Sequence, residues 1–222
     1  MKRTSLILVV FLFVEIARAG DPPPTVAVTP RLAVIIASKD LRKLNDLDKA
    51  YLDAFTILRD DNECSRLYGG PSAIEALNEF VRNLRPAYLE RHIAVRMSGP
   101  TTIFRNGVTG FSYRMFEKAE INMAGSFYRG NTPTGGRIPL IANYQPNTRQ
   151  SRLALLLHEL GHLVRRADKK WVLSDDGNDV YLSARNTEHV VDVCRDEIEY
   201  VTRMNVADQI EEPLTTIAQL AR

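Results

Sequence analysis

Several residues that commonly announce a function are scarce in this chain. It has two cysteines, one tryptophan and four histidines. Cys64 and Cys194 stand too far apart to form a local CxxC zinc pair, and two cysteines are too few for a disulfide-dense scaffold. An excess of charge is also missing, with 29 Lys and Arg against 27 Asp and Glu. No internal repeat is present, and "DPPPTVAVTP" at 21–30 is the one low-complexity stretch. Beyond the first twenty residues no segment is apolar enough to cross a membrane.

Those first residues read "MKRTSLILVVFLFVEIARAG". Lys2 and Arg3 precede an apolar run over 6–14, and Ala17 and Ala19 put small residues where a signal peptidase reads. The run falls short of the roughly 20 residues a spanning helix needs, and Glu15 interrupts its end. The pattern predicts a signal peptide over 1–19, cleaved after Ala19, and an exported protein, periplasmic or secreted. No cysteine at the cleavage point offers a lipid anchor. Taking Lys2, Arg3 and Arg18 from the bases and Glu15 from the acids leaves 26 of each. A formally neutral mature chain calls for neither nucleic acid nor a membrane surface as partner. In an exported chain the two cysteines are expected to pair. A Cys64–Cys194 bridge would close a loop of about 130 residues and contribute roughly 4 kcal/mol; two buried free thiols are the alternative.

After a proline-rich lead-in at 20–30, residues 31–222 read as one domain, with a helical layer over 31–92 and a sheet with further helices over 93–222. "RLAVIIAS" at 31–38 fits a strand or a helix start. Leu47, Tyr51, Phe55 and Leu58 recur at helical spacing, as do Ile74, Leu77, Phe80, Val81 and Leu84 after Pro71. From residue 93 the pattern changes to short β-branched and aromatic stretches: "IAVRMSG", "TTIFRNG", "GFSYRMFEKAEINMAGSFY" and "GRIPLIANY". Three to five mostly antiparallel strands are expected, because the connections are too short for crossover helices. Helices follow, one with Ser151 as its expected cap, one with Asn186, and a short one at the C-terminus. The class is α+β.

The segment "ALLLHELGHLVRRADKK" at 154–170 carries the chemistry. His158, Glu159 and His162 form H-E-x-x-H. Four residues is one helical turn, so both imidazoles share a face and can reach one ion. Glu159 can then contact water beside that ion without ligating it. Zinc suits the set, because it accepts nitrogen and oxygen donors and keeps a position open for water.

"ALLLHELGHLV" resembles the active-site helix of zincin metallopeptidases. The resemblance covers residues 150–166 closely and the order of elements from 93 onward; residues 21–92 match no pattern of that family. It implies a zincin-like fold: N-terminal helices, a mostly antiparallel or mixed sheet, the HExxH helix, then C-terminal helices. It also implies that His158 and His162 bind Zn2+, that Glu159 is the general base, and that the substrate is a peptide or protein. The longer run "HELGHLV…DDGND…LSARNTEHVVDVC" is similar to a group of exported bacterial proteins in which an Asp-Gly after the helix precedes an Asn-Thr helix.

The third ligand departs from the family's best-known patterns. A metzincin continuation would place glycine at 165 and a ligand at 168, where this chain has Arg165 and Asp168. Lacking that glycine, the helix is expected to continue and to carry Asp168 away. Asp176, just before Gly177, is the leading candidate. Glu188 follows, and Asp175, Asp168 and Asp179 stay open. Arg165 and Arg166 could neutralise Asp175 or Asp176. Tyr144 or Tyr181 could polarise a substrate carbonyl, His189 could donate a hydrogen bond beside Glu188, and His92 has no expected role. "EINMAGSFYRG" or "RIPLIANY" could be an edge strand that pairs with an extended peptide. The competing reading is an inactive zincin-like module for binding or envelope interaction, with a structural or lost metal.

Overall fold

The computed structural model describes residues 44–90, 93–107, 109–132, 134–166, 168–177 and 179–205. The expected signal peptide and lead-in, the 31–38 stretch, His92 and the expected C-terminal helix lie outside them. Within them the architecture is α+β, five α-helices with a mixed sheet.

Helix α1 (Asp46–Arg59) begins where the Asn45 side chain accepts from the Asp48 backbone N–H. Its residues 50–58 are all buried, because the helices Ala73–Asn83, Arg149–Leu163 and Val180–Arg203 pack around it. A short helix α2 (Glu63–Leu67) follows, then a 3-10 turn containing Pro71, then α3 (Ala73–Asn83). Ile74, Leu77, Phe80 and Val81 form the buried face of α3, as their spacing requires. Each such side chain contributes roughly 1.5–3 kcal/mol of burial.

The chain runs from α3 directly into β1 (Leu84–Ala87), so the helical layer also supplies a strand. β1 pairs in parallel with β3 (Ser112–Asn122), and β2 (Val95–Arg105) pairs antiparallel on the other side of β3. The sheet is therefore mixed, in the order β1-β3-β2. "IAVRMSG" and "TTIFRNG" belong to one long strand, β2, whose register slips between Ser98 and Thr101 at Gly99 (φ 85°). "RIPLIANY" is not a strand; it forms a loop with two isolated bridges, Arg137 to Asn131 and Ile141 to Tyr144. Side chains alternate along β3. Tyr113, Met115, Ala119 and Ile121 are buried in the helical core, while Arg114 and Phe116 face the other way.

Helix α4 (Arg149–Leu163) packs against α1 and the helix Val180–Arg203. Its cap is Thr148, not Ser151: the Thr148 side chain accepts from the Ser151 N–H, and the Ser151 hydroxyl accepts from the Thr148 N–H. The cap lies three residues before the expected one because Ser151 completes a capping box. It stops at Leu163, and β4 (Val164–Arg165) pairs with the start of β3. Asp168 therefore lies beyond the helix, contrary to the expectation that it stays on it. Helix α5 (Val180–Arg203) is capped by Asp179, whose side chain accepts from the Tyr181 and Leu182 N–H groups. Asn186 is inside that helix rather than at its start, and its side chain donates to the Ser174 carbonyl. A Cys64–Cys194 disulfide fastens α2 to α5, with the Cα atoms 4.6 Å apart.

Candidate metal centre

Two stripes divide α4. Leu153, Leu156, Leu157, Leu160 and Leu163 are in the core. Leu155, His158, Glu159 and His162, at i, i+3, i+4 and i+7, line a cavity of about 710 Å³. One helix therefore both anchors the fold and presents polar groups to the cleft.

The end of α4 explains how a distant acid reaches the histidines. The last carbonyls of a helix have no partner within it. Here the Leu173 N–H donates to the Gly161 carbonyl at 2.9 Å, and Arg114 Nε donates to the His162 carbonyl at 2.8 Å. The Val172 N–H donates to the Val164 carbonyl at 3.0 Å. The 171–173 segment thus lies against the helix end, which needs glycine at 161: a Cβ there would stand 2.6 Å from Leu173 Cγ. Three residues after Leu173, Asp176 arrives over the two imidazoles.

His158 Nε2 and His162 Nε2 are 3.0 Å apart, and Asp176 Oδ2 is 3.2 Å from the first and 3.4 Å from the second. Among the described residues these three form one group that could hold a metal ion. The spacing fits: zinc bound at about 2.1 Å sets its tetrahedral donors about 3.4 Å apart. Asp176 Oδ2 lies in ion-pair range of both rings, yet it is buried with no aligned hydrogen bond, and His162 Nδ1 is buried with no partner. Such buried unpaired atoms are rare without a function.

His158 is oriented by α5. Thr187 Oγ1 stands 2.9 Å from His158 Nδ1 and donates its proton to the Ser183 carbonyl at 2.9 Å. A hydroxyl has one proton, so Thr187 accepts from His158 Nδ1–H. Nε2 of His158 is left with a lone pair directed at His162 and Asp176. Cations relieve that arrangement; a second lone pair and a carboxylate do not.

Electrostatics follow from burial and neighbours. Burial pushes the Glu159 carboxyl up from its ordinary value, the two imidazoles oppose this, and Asp176 reinforces it. Burial alone would lower the His162 pKa, but the neighbouring Asp176 carboxylate and the Glu159 charge raise it. Burial would raise Asp176, yet the two imidazoles beside it hold it far below the usual carboxylate range.

The other candidates fall elsewhere. Asp175 pairs with Arg114, Asp179 caps α5, and Asp168 pairs with Arg166 at 3.2 Å. Glu188 lines the cavity but is exposed and outside the group of three. Arg165 stacks on Trp171 and donates to the Lys169 carbonyl, so neither Arg165 nor Arg166 neutralises Asp175 or Asp176. Tyr181 is 85% exposed, the Tyr144 hydroxyl is buried, and neither lines the cavity. His189 is exposed on α5. Among the described residues β2 is an edge strand of the sheet, and its residues 95–98 wall the cavity, whereas "EINMAGSFYRG" holds the end of the central strand and "RIPLIANY" is a loop. Sequence reading missed Arg114 and Thr187. Thr187 stood in the quoted Asn-Thr motif, and Arg114 was an unexpected charge inside an apolar strand.

No family model, curated protein or solved structure matches this chain.

Proposed function

We propose that this chain is an exported, zinc-dependent hydrolase of zincin type that cuts amide bonds in peptides or proteins. One observation carries the reading: two imidazole nitrogens and a carboxylate oxygen converge at 3.0, 3.2 and 3.4 Å, beside a buried glutamate that opens onto a cavity. Two nitrogens and one oxygen suit Zn2+ and leave room for a fourth partner. His158, His162 and Asp176 would hold it, and the bound ion supplies Lewis acidity, which makes water acidic near neutral pH and polarises a carbonyl.

The protein's own groups do the rest. Thr187 fixes the His158 ring, so its Nε2 faces the centre. Glu159 takes the proton of the attacking water and returns it to the departing amide nitrogen, closing the proton balance. Its raised pKa suits both transfers. Among the described residues the outer edge of β2 along the cavity has no strand partner, and it offers backbone groups to an extended chain. The order of a sheet, the HExxH helix and a long helix supports the zincin reading, and the Cys64–Cys194 bridge supports an oxidising compartment.

Glu159→Gln tests the assignment. The variant keeps its zinc and loses peptide hydrolysis by about 10²–10⁴-fold. Cleavage at the wild-type rate overturns the role of Glu159. Zinc binding with no hydrolysis by either form favours the binding module instead.

A further inference from the structure

We infer that Arg114 is a positioning residue of the metal centre, holding Asp175 so that Asp176 beside it faces the two histidines. The inference rests on the metal-binding reading above and adds a part that lies outside the H-E-x-x-H helix.

Arg114 stands on β3, the central strand, with its backbone in register with Ile103 of β2. Its side chain is 9% exposed. Nε donates to the His162 carbonyl at 2.8 Å. Nη1 donates to Asp175 Oδ2 at 3.2 Å and Nη2 to Asp175 Oδ1, a two-pronged pair. The flat face lies 4.2 Å from the Trp171 ring centre, and the Phe116 ring is 5.1 Å away. These polar contacts end on the two segments that bear the ligands: the last turn of α4, and the loop that delivers Asp176.

The chemistry calls for arginine. A planar fork can serve both carboxylate oxygens, keep a third donor for a carbonyl and stack on an indole; an ammonium is a single compact charge without that geometry. A buried guanidinium also requires an anion, which Asp175 provides. With both its oxygens on Arg114, Asp175 is turned from the ion, and the adjoining peptide brings Asp176 back to His158 and His162. Asp175 itself is 62% exposed and contributes little to the core. Trp171, the single tryptophan, reports on this joint.

The test is zinc affinity, measured by competition with a chromophoric chelator, for Arg114→Met, Arg114→Lys, Asp175→Asn and the Met–Asn double variant. Arg114→Met and Asp175→Asn each weaken zinc binding about 10–100-fold, the range for partners that orient a ligand. The double variant is no weaker than the worse single one, and Arg114→Lys falls between wild type and Arg114→Met. Apo Asp175→Asn unfolds at the wild-type temperature, which separates positioning from folding, and zinc titration shifts Trp171 emission in the wild type. Unchanged affinity in Asp175→Asn overturns the inference. Weaker binding in Asp175→Asn with equal or tighter binding in a folded Arg114→Met makes Asp175 a ligand and also overturns it. Wild-type protein that binds no zinc brings down the metal reading and this inference together.

Discussion

Helix α4 carries a buried polar cluster at each end, and the two are built differently. At its start, Arg149 Nε and Nη2 donate to the fully buried Asp53 at 2.8 and 2.6 Å. Arg149 Nη1 donates to the Thr202 and Met204 carbonyls at 3.1 and 2.7 Å. This cluster is closed: the buried carboxylate meets a matching fork, and the spare donor caps the end of α5. At the other end, Asp176 Oδ2 and His162 Nδ1 are buried without a hydrogen-bond partner, and two imidazoles face each other at 3.0 Å. A closed cluster ties elements together. An open one, with its donors converging on one point, is arranged for a ligand from outside.

The comparison breaks if either end behaves like the other. Replacing both cysteines has the largest expected effect, about 4–5 kcal/mol of stability from freeing a loop of 130 residues. Zinc affinity of the folded fraction stays at wild type, because neither cysteine lines the cavity that holds the histidines. Arg149→Met follows at about 3–5 kcal/mol, since it removes the guanidinium that pairs with the buried Asp53; urea unfolding and chelator competition read stability and affinity separately. Gly161→Ala costs about 1–3 kcal/mol, because the new methyl meets Leu173 at 2.6–2.7 Å. It also weakens zinc binding, as the displaced segment carries Asp176.

A smaller effect tests the seam between the two ends. The buried Tyr68 hydroxyl donates to the Leu157 carbonyl at 2.8 Å, and burial pushes its pKa well above the ordinary value. In the unfolded chain it ionises near pH 10, so above that pH the folded state binds more protons and stability falls as pH rises. Tyr68→Phe costs about 1 kcal/mol at neutral pH and flattens that alkaline slope. Last, Asp176→Asn leaves apo stability nearly unchanged while zinc binding is lost. A large loss of apo stability in that variant would mean that the open cluster is a structural one.

Much of this was readable in the sequence. The apolar spacing of Tyr51, Phe55 and Leu58, and of Ile74, Leu77 and Phe80, indicated two buried helices because helical period and burial coincide there. His158, Glu159 and His162 were legible because one helical turn fixes their mutual position. Asp176 ranked first among five acids, and the structure brings it to the histidines, but the reason was invisible: the packing of Leu173 on Gly161. Caps were misread at Ser151 and Asn186, where Thr148 and Asp179, a few residues earlier, offered the same chemistry. β1 was hidden because its four residues, with Pro86 among them, have no period of their own. Arg114 and Thr187 act through contacts with residues 48 and 29 positions away, which local pattern cannot supply.

Elemental analysis of the wild-type protein, purified at neutral pH without chelators or added metal, tests the central claim most directly. The account predicts about one zinc per chain, lost when His158 and His162 are both replaced by alanine. Wild-type protein with far less than one zinc, and none taken up on dialysis against it, would contradict the account.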